Sequence, residues 1–100
     1  MKRFQRRRTK GWVMPPNAVY VGRPSKWGNP FPITAECDRQ KAITAFRSWL
    51  LDPNRNELPT IAEIQRDLRG RDLVCWCPLD EACHADVLME VANGPIVEHI

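Results

Sequence analysis

The amino-acid sequence predicts a small α/β domain in the order β-α-α-β-α, with an optional last strand, around a short and mostly parallel sheet. Three observations carry this reading. Two β-prone segments are separated by about fifty residues that hold two helical patterns, which favours a parallel pair joined by a right-handed crossover. The second of them, residues 72–77 (DLVCWC), is apolar on both faces, as covered strands are. The chain has 100 residues, 43% of them hydrophobic and 27% charged, which suits one domain with a core and excludes a disordered tail.

Taken in order, residues 1–10 hold Lys2, Arg3, Arg6, Arg7, Arg8 and Lys10 and no acid. They read as a basic N-terminal arm before a single domain over 11–100. The net charge of +3 belongs to this arm, because acids outnumber bases in the rest of the chain. Arg6, Arg7, Arg8 and Lys10 suit the polyphosphate of a nucleic acid; a solvated tail has the same composition. An arm outside the fold predicts that glutamine at positions 3, 6, 7 and 8 changes stability by less than about 0.5 kcal/mol.

Residues 11–17 (GWVMPPN) form a connector in which two prolines remove backbone donors. Residues 18–22 (AVYVG) read as the first strand, and residues 23–32 (RPSKWGNPFP) as loop. Thr34 is expected to cap a helix reaching Leu51, with Ala42, Ala45, Phe46, Trp49 and Leu50 as its apolar stripe. Thr60 and Glu63 form a capping box for a second helix, with Ile61, Ile64 and Leu68 on its apolar face and Gly70 at its end. After the second strand, Asp80 is expected to cap a third helix through Ala92, and Ile96-Val97 can form the optional last strand.

The longest apolar run, Leu73 to Cys77, is far short of the roughly 20 residues that span a bilayer, so no membrane role is expected. The arginine-rich start resembles a transit peptide, but Pro15 and Pro16 interrupt any amphipathic helix and no secretory apolar core follows. The expected location is the cytoplasm, with Cys37, Cys75, Cys77 and Cys83 as thiols rather than disulfides.

Two clusters can carry chemistry. Cys75, Cys77, Cys83 and His84 match a Cys₃His zinc set in type, so zinc is the candidate cofactor. Their spacing is narrower than the usual knuckle, and adjacent helical residues diverge by about 100°. Two other readings stay open. Cys83, at a helix start that favours a thiolate, can act as a nucleophile beside His84; or the thiols simply pack the strand. The other cluster is the first loop. Arg23 offers a fork for phosphate, Lys26 a point charge and Asn29 an amide for a base or sugar. Trp27 and Phe31 can stack on a nucleobase or else plug the core. In an open parallel sheet, both loops leave the carboxyl edge of the strands, so Asn29 and Cys83 are expected at one pocket.

The segments RTKGWVMPPNAVYVGRPSKWGNPF and LRGRDLVCWCPLDEACHADVL together resemble a small bacterial and phage family known only as a domain of unknown function. The resemblance covers residue 8 to about residue 92. It implies that the chain is the complete domain and that Arg8, Thr9, Lys10, Gly11 and Trp12 belong to the family pattern. It implies no reaction.

The residues therefore point to a nucleotide, a nucleoside phosphate or a nucleic-acid end bound between the two loops by Arg23, Lys26, Trp27 and Asn29. In an enzyme, Cys83 or a metal-bound water would be the nucleophile, with His84 as acid/base, Asp86 orienting His84, and Arg23 holding the anion. The rival is a non-catalytic module, zinc-stabilised, that binds nucleic acid or another protein.

Overall fold

The computed structural model describes residues 2–23, 25–55, 57 and 59–95. The expected strands are both present and parallel. Strand β2, Ala18–Tyr20, pairs with β3, Asp72–Cys75, so that Val19 lies beside Leu73 and Tyr20 beside Val74. A third strand, β1, Arg3–Gln5, was not anticipated, because it lies inside the basic segment. It also runs parallel to β3, with Phe4 beside Val74 and Gln5 beside Cys75, and the sheet order is β1-β3-β2. Backbone bonds extend both pairings: Leu73 N–H to the Lys2 carbonyl (2.9 Å), Arg6 N–H to Cys75 (2.6 Å) and Val21 N–H to Val74 (2.9 Å). The segment read as a free arm thus begins as an edge strand. Ile96-Val97 lies outside the described residues.

Two helices start later than the sequence predicts, and their caps explain why. Helix α1 spans Arg39–Leu51, with Asp38 accepting from the Lys41 N–H at 2.9 Å. Thr34 instead closes a tight turn, its hydroxyl accepting from the backbone of Glu36 (3.3 Å) and Cys37 (3.1 Å). Helix α3 spans His84–Ala92 and is capped by Cys83, not Asp80. There the Cys83 sulfur accepts from Ala85 N–H, and the Asp86 carboxylate accepts from Cys83 N–H at 3.1 Å, a reciprocal capping box with a thiol as its first member. Helix α2, Ile61–Leu68, starts and ends where predicted, with half of its capping box. The Thr60 hydroxyl accepts from Glu63 N–H at 3.1 Å, but the Glu63 carboxylate pairs with Lys26 at 3.3 Å rather than with the cap. Gly70 beyond the end has the positive φ that favours glycine. Thr60→Ala is expected to cost about 1 kcal/mol, read as a lower urea midpoint with an unchanged slope.

The core lies between the helices and one face of the sheet. Phe46 and Leu50 of α1, Ile64 and Leu68 of α2 and Leu88 of α3 are buried with Leu73 and Cys75 of β3. Alternation puts Arg3, Leu73 and Val19 on this side, and Phe4, Val74 and Tyr20 on the other. Tyr20 lies along that far face, its hydroxyl donating to the Arg23 carbonyl at 2.8 Å. Gly22 makes this possible, since a β-carbon there would stand 2.6 Å from the Tyr20 ring carbon Cζ. Because all three strands are parallel, the chain leaves each of them at the same edge of the sheet. Among the described residues, no helix is long and apolar enough to cross a membrane.

Candidate functional site

At that edge lies a cleft of about 310 Å³. The first loop contributes Arg23, Asn29, Phe31 and Ile33; α1 contributes Arg39, Ala42 and Ile43; the second loop and the start of α3 contribute Cys77, Cys83 and His84. Asn29 and Cys83 therefore share one pocket, as the parallel arrangement predicts. Asn29 shapes the loop: its side-chain oxygen accepts from Phe31 N–H at 2.8 Å, and its nitrogen donates to the Ala42 carbonyl at 3.2 Å. Arg23 Nε donates to the Asn29 carbonyl at 2.9 Å, which turns the guanidinium along the loop.

The second loop gathers three sulfurs. Cys75 ends β3, Cys77 follows on the same side, and the chain returns through a turn in which Glu81 N–H bonds the Pro78 carbonyl. Capping α3 brings Cys83 back against them. The sulfurs of Cys75 and Cys83 are 3.1 Å apart, and all three lie within 4.8 Å of one another, a grouping that can hold a metal ion. Cys75 and Cys83 are buried, and Cys77 is half-buried.

His84 joins the two loops. Its Nε2 lies 2.7 Å from the Val21 carbonyl and must donate to it, so the bond assigns the tautomer and leaves the Nδ1 lone pair 3.5 Å from the Cys83 sulfur. The edge of the ring packs on Phe46, with centroids 5.5 Å apart. Burial pushes the imidazole pKa below its ordinary value and keeps the ring neutral.

Two guanidiniums face the sulfurs. Arg39 Nη1 donates to Cys77 Sγ at 3.3 Å and to the Ala82 carbonyl at 3.2 Å, while Nη2 pairs with Glu81 at 3.0 Å. Arg3, its side chain only 8% exposed, donates to the carbonyls of Leu79 (3.0 Å) and Glu81 (2.8 Å), and its Nε lies 3.4 Å from Asp86. Hydrogen bonds from Cys75 and Cys83, with the Arg39 guanidinium beside them, hold the Cys77 thiol well below its usual range. Its bonds to Cys75 and to Cys77, together with burial, push Cys83 up, and Cys75 is raised mainly by its bond to Cys77. The cluster thus favours one thiolate, on Cys77, flanked by two thiols.

Other residues singled out in the sequence go elsewhere. Trp27 is buried in the core at 5% exposure, and Lys26 turns to α2, 3.3 Å from Glu63 and 3.6 Å from Asp67. Asp86 caps α3 and meets Arg3; the group that orients His84 is the Val21 carbonyl. In the basic segment, Arg6 lies over the rings of Tyr20 (4.8 Å) and Trp76 (5.3 Å), and Arg8 over Trp76 (5.2 Å). Arg7 approaches the Gln5 side chain at 3.5 Å, and Lys10 is exposed. Sequence reasoning missed Arg39 and Arg3, whose partners are 38 and 72 residues away. The one local signal was Arg39 beside Asp38, a capping residue that would have placed the arginine in the first turn of a helix.

No curated protein and no solved structure matches the chain. A family model does match, over residues 4–94, and so takes in most of β1 and the basic segment as well as both loops. The chain belongs to the family DUF4326, a domain of unknown function.

Proposed function

We propose that the domain binds a phosphate-bearing ligand of the nucleotide class in the cleft, and that Cys75, Cys77, Cys83 and His84 hold a zinc ion in its wall. The observation that carries the reading is the composition of this one cleft: Arg23 and Arg39 line it together with the apolar Phe31, Ile33 and Ile43 and with Cys77, Cys83 and His84. Paired guanidiniums recognise a phosphate by charge-assisted bonds, and the apolar wall suits the base. The stacking and anchoring roles expected of Trp27 and Lys26 pass to Phe31 and Arg39. A volume of about 310 Å³ suits a mononucleotide or the terminal nucleotide of a strand.

The donor set fits zinc in type. Among the described residues only the three sulfurs lie within 4.8 Å of one another. His84 Nδ1 stands 3.5 Å from Cys83 Sγ, about the edge of a zinc tetrahedron with nitrogen and sulfur ligands, and would have to move towards the other two sulfurs to complete the set. The 3.1 Å between Cys75 and Cys83 is shorter than the roughly 3.8 Å of two sulfurs on one zinc. The Val21 carbonyl behind Nε2 and the Ala85 N–H on the Cys83 sulfur are the outer contacts that orient such ligands. When bound, zinc in a closed set of four protein donors would pin the end of β3 to the start of α3.

Elemental analysis of tag-free protein is expected to find equimolar zinc. A chelator should lower the melting temperature, and Cys77→Ser and His84→Ala should each lower metal content. Calorimetric titration with nucleoside monophosphates is expected to show binding that weakens about 10- to 100-fold in Arg39→Gln. Metal-free, chelator-insensitive protein in which Cys77 alone alkylates rapidly would overturn the zinc reading. It would favour the second one, a reactive Cys77 thiolate held against Arg39, for which the 3.3 Å contact speaks.

A further inference from the structure

We propose that the sheet face turned away from the helices binds single-stranded nucleic acid, with Trp76 as the stacking platform and Arg6 and Arg8 as the phosphate contacts. The argument starts from register. Phe4, Val74 and Tyr20 stand in one row on that face, and Trp76, two residues beyond Val74, continues it at the carboxyl edge. Trp76 is 41% exposed, the largest side chain so placed among the described residues. The chain leaving β1 crosses this row, bringing one guanidinium over both Tyr20 and Trp76 and a second over Trp76.

Charge complements the rings. Lys2, Arg6, Arg7, Arg8 and Lys10 form no ion pair among the described residues, whereas Arg3, Arg39, Arg47 and Arg66 all do. The acid on this face, Asp72, sits at the opposite end of β3 and accepts from the Lys2 backbone N–H at 2.8 Å. The carboxyl end therefore combines an exposed indole with cations that make no ion pair among the described residues. Stacking on an indole needs a base whose π-face is open, which a single strand offers and a duplex hides. Both guanidiniums lie over the Trp76 ring in the free protein, so a base that stacks there takes the place of one of them and frees it for the adjoining phosphate.

This surface uses none of the residues given to the cleft, and the two readings can fail independently. The test is fluorescence anisotropy of a labelled oligothymidylate of about 12 nucleotides with the full chain at about 50 mM salt. Trp76→Ala is expected to raise Kd about 5- to 100-fold, with Trp76→Phe restoring most of the affinity. The double variant Arg6→Gln/Arg8→Gln should lower the slope of log K against log salt by about 1.4, while Lys41→Gln, an exposed cation on α1, should leave it unchanged. Melting temperatures of the variants show that each is folded. Three results would overturn the proposal: Trp76→Ala binding as well as the parent, a duplex of the same length binding as tightly as the single strand, or vesicles of phosphatidylserine binding with the same loss in Trp76→Ala.

Discussion

Phe46→Ala is expected to destabilise the domain by about 3–5 kcal/mol. That is a large share of the roughly 5–15 kcal/mol by which a domain is stable, so much of the variant should be unfolded at 37 °C. Phe46 is 1% exposed on the buried stripe of α1 and touches Trp49 on its own helix, with centroids 6.0 Å apart, and His84 at the start of α3. The lost ring leaves a cavity beside the imidazole, so the damage extends to the group that joins the two loops. Urea denaturation followed by circular dichroism measures the loss. Phe46→Leu, which keeps most of the volume, should cost clearly less and retain a single cooperative transition.

The second large effect is expected at Arg3. Arg3→Gln should cost about 2–3 kcal/mol, because the guanidinium is nearly enclosed and leaves the Leu79 and Glu81 carbonyls without their donor. Arg7→Gln, four residues away and exposed, should change stability by less than about 0.5 kcal/mol. Urea midpoints of the two single variants make the comparison, and equal midpoints would mean that Arg3 is as dispensable as a tail residue. The contrast replaces the expectation that all four arginines of the segment are neutral.

That replacement shows where the sequence was legible. The strands Ala18–Tyr20 and Asp72–Cys75 were readable because β-branched and apolar residues cluster there, and the stripe of α1 because a period of 3.6 repeats through thirteen residues. The strand at Arg3–Gln5 was hidden: three residues show no period, and a run of arginines reads as solvated charge. Its place in the sheet comes from backbone bonds, which leave no mark on side-chain composition. The late starts of α1 and α3 have a similar origin. Thr34 and Asp80 are good caps, but Asp38 and Cys83 close the helices, and a thiol is not among the residue types one looks for at a cap.

The site was legible to the same degree. Parallel strands dictate that the two loops meet, and they do, at Arg23, Asn29, Cys77, Cys83 and His84. Composition alone could not tell which of the loop's polar and aromatic groups look inward. Trp27 is enclosed by the core, and Lys26 is drawn to two carboxylates on α2 that lie far along the chain. Arg39 and Arg3 reach the sulfurs only because α1 and β1 are packed beside them, a long-range fact that no local window contains.

The sheet order β1-β3-β2 has a consequence for how the chain acquires its shape. Among the described strands the one in the middle is the last to be synthesised, and both of its neighbours wait for it, β1 across about seventy residues and β2 across about fifty-four. The strands that are consecutive in sequence and paired, β2 and β3, run parallel with two helices between them, so no hairpin can form early and guide the rest. During translation the first seventy residues can form α1 and α2, but sheet pairing begins only when Asp72–Cys75 has left the ribosome. Both loop closures are long, so their entropy is lost before any strand contact compensates for it, and folding should be slow for a domain of this length. The same four residues end in the first cysteine of the cluster. The step that zips the sheet therefore also fixes the first sulfur, on which the turn after Cys77 and the cap of α3 then close, and a chain stalled before it exposes two unpaired strands.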